Sequence, residues 1–127
     1  MDAARLGTLS ALGLAASGVG IALQPRQAST SLDIPAISQR GIAETRAGLG
    51  GTYAALGTWS ALRATPDAHT AVGMTWLGAA ALRLVSLVVD KPRTSPTFWL
   101  YLAGELTLGT CGVAAGRATR NPLGEGS

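Results

Sequence analysis

The chain has 127 residues, 47% hydrophobic and only 13% charged, about half the charged share of an ordinary soluble domain. One domain fits that length. Net charge is +3, but the basic residues, nine Arg and one Lys, stand singly between apolar segments, which excludes the clustered basic face of a nucleic-acid-binding protein and leaves membrane-flanking charges as their role.

Leu6 to Leu23 is eighteen residues without a charge, between Arg5 and Gln24-Pro25-Arg26, just long enough to cross a bilayer. A cleaved signal peptide opens the same way, but further apolar segments follow, which favours a retained first span. Its pairs Ala11/Ala15, Gly13/Ser17 and Ala16/Gly20 have the small-xxx-small spacing that lets another helix come close. Residues 24–41 form the longest connection, with Pro25, Pro35 and a polar Ser29-Thr30-Ser31 run. Leu32, Ile34 and Ile37 within it suit an ordered loop over the helix ends, or a short helix or turn on the membrane surface.

A second span is expected over 42–62, ending at Arg63. Thr65-Pro66-Asp67 then makes a turn, since Pro fixes φ and pushes Thr65 out of helical geometry, and Asp67 suits an N-cap. The third span covers 69–90, with Arg83 well inside it, and is stopped by Lys91-Pro92-Arg93 and Pro96. The fourth covers 97–116, with Glu105 near its middle. Residues 118–127, rich in Gly, are expected to be a mobile tail. The whole reads as a single all-α integral membrane domain, a four-helix transmembrane bundle, up-down-up-down, with both termini on the same side. A soluble bundle would carry a polar face on every helix, and Leu6 to Leu23 has none.

That topology puts the start of the second span, the end of the third and the start of the fourth at one membrane face. Arg83 lies eight residues before Lys91 and Glu105 nine after Pro96, so at about 1.5 Å per residue both sit roughly 12 Å from that face and can pair. Glu44 and Arg46 enter one turn inside the same face, and Asp90 stands at its rim. Glu44, Arg46, Arg83, Asp90 and Glu105 are therefore expected to form one charged cluster, because charges at bilayer depth must face the protein interior and be paired. The plainer role for it is fixing helix register; the sharper one is holding a polar headgroup, a cation or a proton. Ala47, Gly50, Gly51 and Ala54, with Gly112 and Gly116 on the last span, are the expected helix-packing residues.

Few residues offer chemistry. The single Cys111 excludes an internal disulfide or a Cys-based zinc site. His69 has no partner at metal-ligand spacing and reads as a solvated turn residue. No Ser-His-Asp set, phosphate-binding Gly loop or haem-ligand His pair is present, so no enzyme, cofactor or metal is expected. Trp99 and Tyr101 flank one interface and Trp59 the other, as an aromatic belt would. Trp76 lies deeper, where core packing or lipid contact suits it better than a pocket wall.

The pattern Glu44-x-Arg46-Ala47-x-x-Gly50-Gly51, then Arg83-x-x-Ser86-x-x-x-Asp90, then Glu105 resembles the small four-helix bacterial membrane proteins grouped as a domain of unknown function, over nearly the whole chain. Leu49 departs from it, standing where the pattern has an aromatic such as Tyr. The resemblance implies the fold and the charged cluster, and no activity.

These features suit a non-enzymatic accessory or structural subunit of a larger bacterial membrane complex, such as an envelope lipid transporter or respiratory assembly. Its expected partners are membrane lipids and other integral membrane subunits, with no nucleic acid. The alternative is a small carrier or sensor binding a lipid, quinone or other lipophilic ligand at the charged cluster. Ion movement fits less well, because no Gly-Pro interruption breaks a span. Arg excess over Lys with abundant Ala and Gly points to a GC-rich bacterial genome, hence the inner (plasma) membrane. The two faces tie at four basic residues each, and the short tail favours cytoplasmic termini.

Overall fold

The computed structural model describes residues 1–121, and these are helical throughout, with short connections and no strand among the described residues. The elements are α1 (Ala3–Leu23), α2 (Pro25–Ser31), α3 (Gln39–Glu44), a π-helical segment (Thr45–Gly51), α4 (Thr52–Arg63), α5 (Pro66–Val89) and α6 (Pro96–Arg120).

Local chemistry sets most boundaries. The Asp2 carboxylate accepts from the Arg5 N–H at 2.9 Å, and the Ser38 and Ser95 hydroxyls accept from Gly41 and Phe98 in the same way, each satisfying one orphan donor of a helix start. Before α5 the cap is Thr65, whose hydroxyl accepts from Ala68. Asp67, expected in that role, instead sits in the first turn, because Pro66 takes the first helical position and moves the start earlier. Ala64 and Lys91, at φ 48° each, reverse the chain after α4 and α5. α6 meets no breaker before Asn121-Pro122 and runs to Arg120, so the tail expected from residue 118 is helical at its beginning; residues 122–127 lie outside the described residues.

Three helices, α1, α5 and α6, are long and apolar enough to cross a membrane, and no more than 28% of the apolar stretch of each is buried against the rest of the chain. Leu12, Val19, Leu82, Val85, Val88, Leu100 and Leu106 all point outward. A water-soluble helix would turn such side chains inward; here they need lipid around them, and the chain is a membrane protein. The stretch expected as the second span, 42–62, is not one of these three helices. It is built from α3, the π segment and α4, of 6, 7 and 12 residues, joined with helical dihedrals at every junction.

Packing is organised by backbone contact on α1. Its pairing with the π segment and α4 is antiparallel: Gly50 lies against Ala22, Gly18 against Ala54, and Gly57 against Ala15 and Ala11. A Cβ built on Gly57 would fall 2.7 Å from the Ala15 Cα, and one on Gly50 2.7 Å from the Ala22 nitrogen. α5 and α6 are also antiparallel, with Gly73 against Gly112, Gly116 against Thr70 and Pro66, and an Asp67–Arg120 ion pair beyond them. α1 and α5 run parallel. Ser10 ties them to α6: its hydroxyl donates to the Leu108 carbonyl at 2.7 Å, while its own carbonyl accepts from Trp76 Nε1 at 3.4 Å. Ala11, Leu14, Val72 and Trp76 fill the space between.

Of the expected packing residues, Gly50, Ala54, Gly112 and Gly116 lie at these contacts. Ala47 and Gly51 do not: both are exposed, and a Cβ on Gly51 would meet only the Arg46 carbonyl of its own helix, at 3.8 Å. A uniform α period would put them on the packed face, and the wide turns of the π segment break that period.

Glycine contacts yield a sharp contrast. Gly57→Val should destabilise the protein by about 1–3 kcal/mol, the usual cost of overpacking, while Gly78→Ala, where a Cβ meets nothing within 4 Å, should change stability by less than about 0.5 kcal/mol. Reversible unfolding in mixed micelles measures both.

Candidate functional site

Arg83 and Glu105 meet side by side. Arg83 Nε donates to Glu105 Oε2 at 2.9 Å and Nη2 donates to Oε1 at 2.7 Å, the two-pronged geometry that makes Arg–carboxylate pairs both strong and directional. The pair is largely sheltered, with side-chain exposures of 21% and 9%. Phe98, Tyr101 and Glu105 stand at i, i+3 and i+7 on α6 and so share a stripe. The Arg83 guanidinium lies over that stripe, 5.2 Å from the Phe98 ring centre and 5.7 Å from the Tyr101 ring centre, where the ring faces attract a cation. Tyr101 is held in turn by Ser31, hydroxyl to hydroxyl at 2.8 Å, which links α6 to α2.

The other three expected members of the cluster lie elsewhere. Glu44 is exposed and pairs with Arg40 on its own helix at 3.7 Å. Arg46 is exposed, and Asp90 is exposed as the cap of α5. The reason is level rather than facing. Gly50 packs against Ala22, one residue from the end of α1, so Glu44 and Arg46 project past the last turn of α1 and reach the rim, where water or headgroups can solvate them.

Beside the ion pair lies a cavity of about 580 Å³, within the size range of small-molecule sites. α1 supplies Ala16, Ser17, Gly20 and Ile21 to its wall; α2 supplies Gln27, Ala28 and Ser31; Leu49 and Tyr53 come from the π segment and α4; Trp76 and Arg83 from α5; Leu100, Gly104, Glu105 and Leu108 from α6. The lining is mainly apolar, with one ion pair, three aromatic rings and a few neutral polar groups. Gly20 and Gly104 both line it, and a Cβ on either meets nothing within 4 Å. At these two positions glycine leaves room instead of admitting a helix.

Sequence reasoning placed Arg83 with Glu105, and missed Tyr53 and the cavity. The Phe98/Tyr101/Glu105 stripe was readable from spacing; the cavity was not, since it depends on how six elements splay. Trp76 serves two roles, packing in the core and lining the cavity. His69 also departs from expectation. Starting α5 at Pro66 carries it into the helix, where it is fully buried, its ring lies against Gly7, and neither ring nitrogen has a hydrogen-bond partner among the described residues. Among the described residues no three His, Cys, Asp or Glu side chains converge as metal ligands would.

Two substitutions follow from the burial of these groups. Glu105→Leu should cost about 3–5 kcal/mol by stranding the guanidinium, while Arg83→Met combined with Glu105→Met should recover most of that loss. A double-mutant unfolding cycle measures the coupling. His69→Leu should leave stability unchanged or raise it by about 1–2 kcal/mol, because it replaces an unpartnered buried polar ring with an apolar group of similar volume; thermal unfolding in detergent reads this directly.

Compared with protein-family models, curated proteins and solved structures, the chain matches none.

Proposed function

We propose that this protein is a small, non-enzymatic carrier or sensor that holds a lipophilic ligand in the cavity beside Arg83 and Glu105. Its setting is a four-helix transmembrane bundle in the bacterial inner membrane, with α3, the π segment and α4 together making the fourth rod and the termini in the cytoplasm. The resemblance of the Glu44–Gly51, Arg83–Asp90 and Glu105 pattern to small four-helix bacterial membrane proteins agrees with that setting. The observation that carries the ligand is a cavity that joins apolar walls to one sheltered ion pair, with two glycines left uncovered on its lining. A purely structural pair would be packed over; this one borders open volume.

The accessory-subunit reading, the first expectation from the sequence, rests on many close-approach faces, the lack of a catalytic set and little mass outside the membrane. Gly18, Gly50, Gly57, Gly73 and Gly112 are all occupied within the chain, which weakens the first of these three grounds and leaves the other two.

Extraction of the purified protein followed by mass spectrometry should find a retained lipophile near one per chain. Gly104→Leu should remove it while leaving unfolding stability close to wild type, since the new side chain enters open space. Equal retention in both proteins, or none in wild type, would sink the proposal.

A further inference from the structure

We infer that the cavity takes an uncharged amphiphile, one whose head presents carbonyl-type oxygens to the free edge of Arg83, and that it turns away ionised heads. This rests on the cavity being a binding site, as proposed above.

Arg83 and Glu105 are the charged residues of the lining, and they neutralise each other through two direct bonds. An anionic head placed on Arg83 would also face the Glu105 carboxylate, and a cationic head placed on Glu105 would face the guanidinium. Either would bring into a low-dielectric space a charge with no counter-ion left to meet it. Neutral oxygens meet no such obstacle. A guanidinium has five N–H groups, and Glu105 takes one from Nε and one from Nη2, so three stay available. Phe98 and Tyr101 have their ring centres 5.2 and 5.7 Å from the Arg83 Cζ, and the N–H donors that Glu105 leaves free all lie in the guanidinium plane. Such a planar set suits an sp² oxygen, whose acceptor lobes lie in the carbonyl plane.

The rest of the lining fits the same head. Tyr53 also lines the cavity, and its hydroxyl makes no hydrogen bond to a protein atom among the described residues, so it adds a donor that nothing in the chain has taken. Tyr53 and Trp76, with ring centres 6.3 Å apart and planes inclined at 60°, give a tilted aromatic wall. Ile21, Leu49, Leu100 and Leu108 offer apolar surface for a hydrocarbon tail. A quinone ring and the ester groups of a neutral glycerolipid both carry this chemistry.

Fluorescence separates them. The chain has three tryptophans, and Trp59 and Trp99 are half-exposed while Trp76 lines the cavity. Trp59→Phe with Trp99→Phe in the full-length protein therefore leaves Trp76 as the reporter. The probes are a decyl-substituted benzoquinone, a dibrominated dioleoylglycerol, a dibrominated oleate at alkaline pH and a brominated alkyltrimethylammonium, all of which quench indole on contact. Saturable quenching is expected from at least one neutral probe, and which one names the source. It should vanish in Gly104→Leu and weaken about tenfold in Arg83→Met with Glu105→Met, which stays neutral but lacks the donors, as the loss of roughly one hydrogen bond implies. An ionised probe binding as tightly as both neutral ones overturns the head assignment and leaves the cavity as a binding site. Neutral binding untouched by the double Met variant overturns the part given to Arg83. Absence of saturable quenching by any probe, or quenching unchanged in Gly104→Leu, brings down both the head assignment and the binding site.

Discussion

Backbone-to-backbone contact at glycine is the constraint on which the rest of this structure depends. In lipid, side-chain burial gives helices little reason to associate, because hydrocarbon tails are as apolar as leucine. What remains is close van der Waals approach and a few hydrogen bonds between helices. Gly18, Gly50 and Gly57 bring α1 against the π segment and α4, and Gly73 with Gly112 brings α5 against α6. Ser10 and Trp76 then link α1 to α5 and α6 through hydrogen bonds that would have no water to replace them. Two tight pairs, α1 with α4 and α5 with α6, are the outcome. Between them, at the end where α1 gives way to α2, the fit is looser. Gly20 and Gly104 show the consequence: the residue type that closes the pairs leaves volume where no helix comes to meet it.

The ion pair owes its position to that same arrangement. Antiparallel contact between α5 and α6, pinned by Gly73 and Gly112, brings Arg83 and Glu105 to the same level some turns further along. Once there, the guanidinium has a carboxylate on its edge and two aromatic rings close by. A group enclosed in that way has few rotamers left to explore, so little entropy is lost when a ligand meets its remaining donors. The sheltered charges thus act both on stability, through the penalty for losing either partner, and on recognition, through the few donors still free.

Much of this was legible in the sequence where punctuation was strong. Prolines at 66, 92 and 96 marked the helix starts and stops to within a few residues, because a missing N–H and a fixed φ act locally. Depth counting along straight helices was enough to pair Arg83 with Glu105. It misjudged the level of Glu44 and Arg46, since sequence does not give the axial offset between neighbouring helices, and Gly50 lies level with the end of α1. A cap at Asp67 would leave His69 at the edge of a turn; with Thr65 as the cap and Pro66 as the first helical residue, the imidazole lies in the core. No local pattern announces a π segment, whose wide turns are permitted by Thr45-Arg-Ala-Gly-Leu-Gly-Gly51 and settled by packing against Ala22.

That π segment bears on the cavity more than its length suggests. α-helices wind at about 100° per residue, which would set Ile42 and Gly50 roughly 80° apart, yet both are buried in the structure. Widening the turns between them reduces the difference, so the chain can bury Ile42 at one end and seat Gly50, Ala54 and Gly57 on α1 at the other. Leu49 and Tyr53 straddle the junction where α-winding resumes, and both line the cavity. Regular α-winding throughout would rotate the end bearing Ile42 away from its buried position, or pull Gly50 off Ala22 and swing Leu49 and Tyr53 with it. The irregular turn is therefore what allows tight packing on α1 and an open wall beside Arg83 to coexist in the same rod.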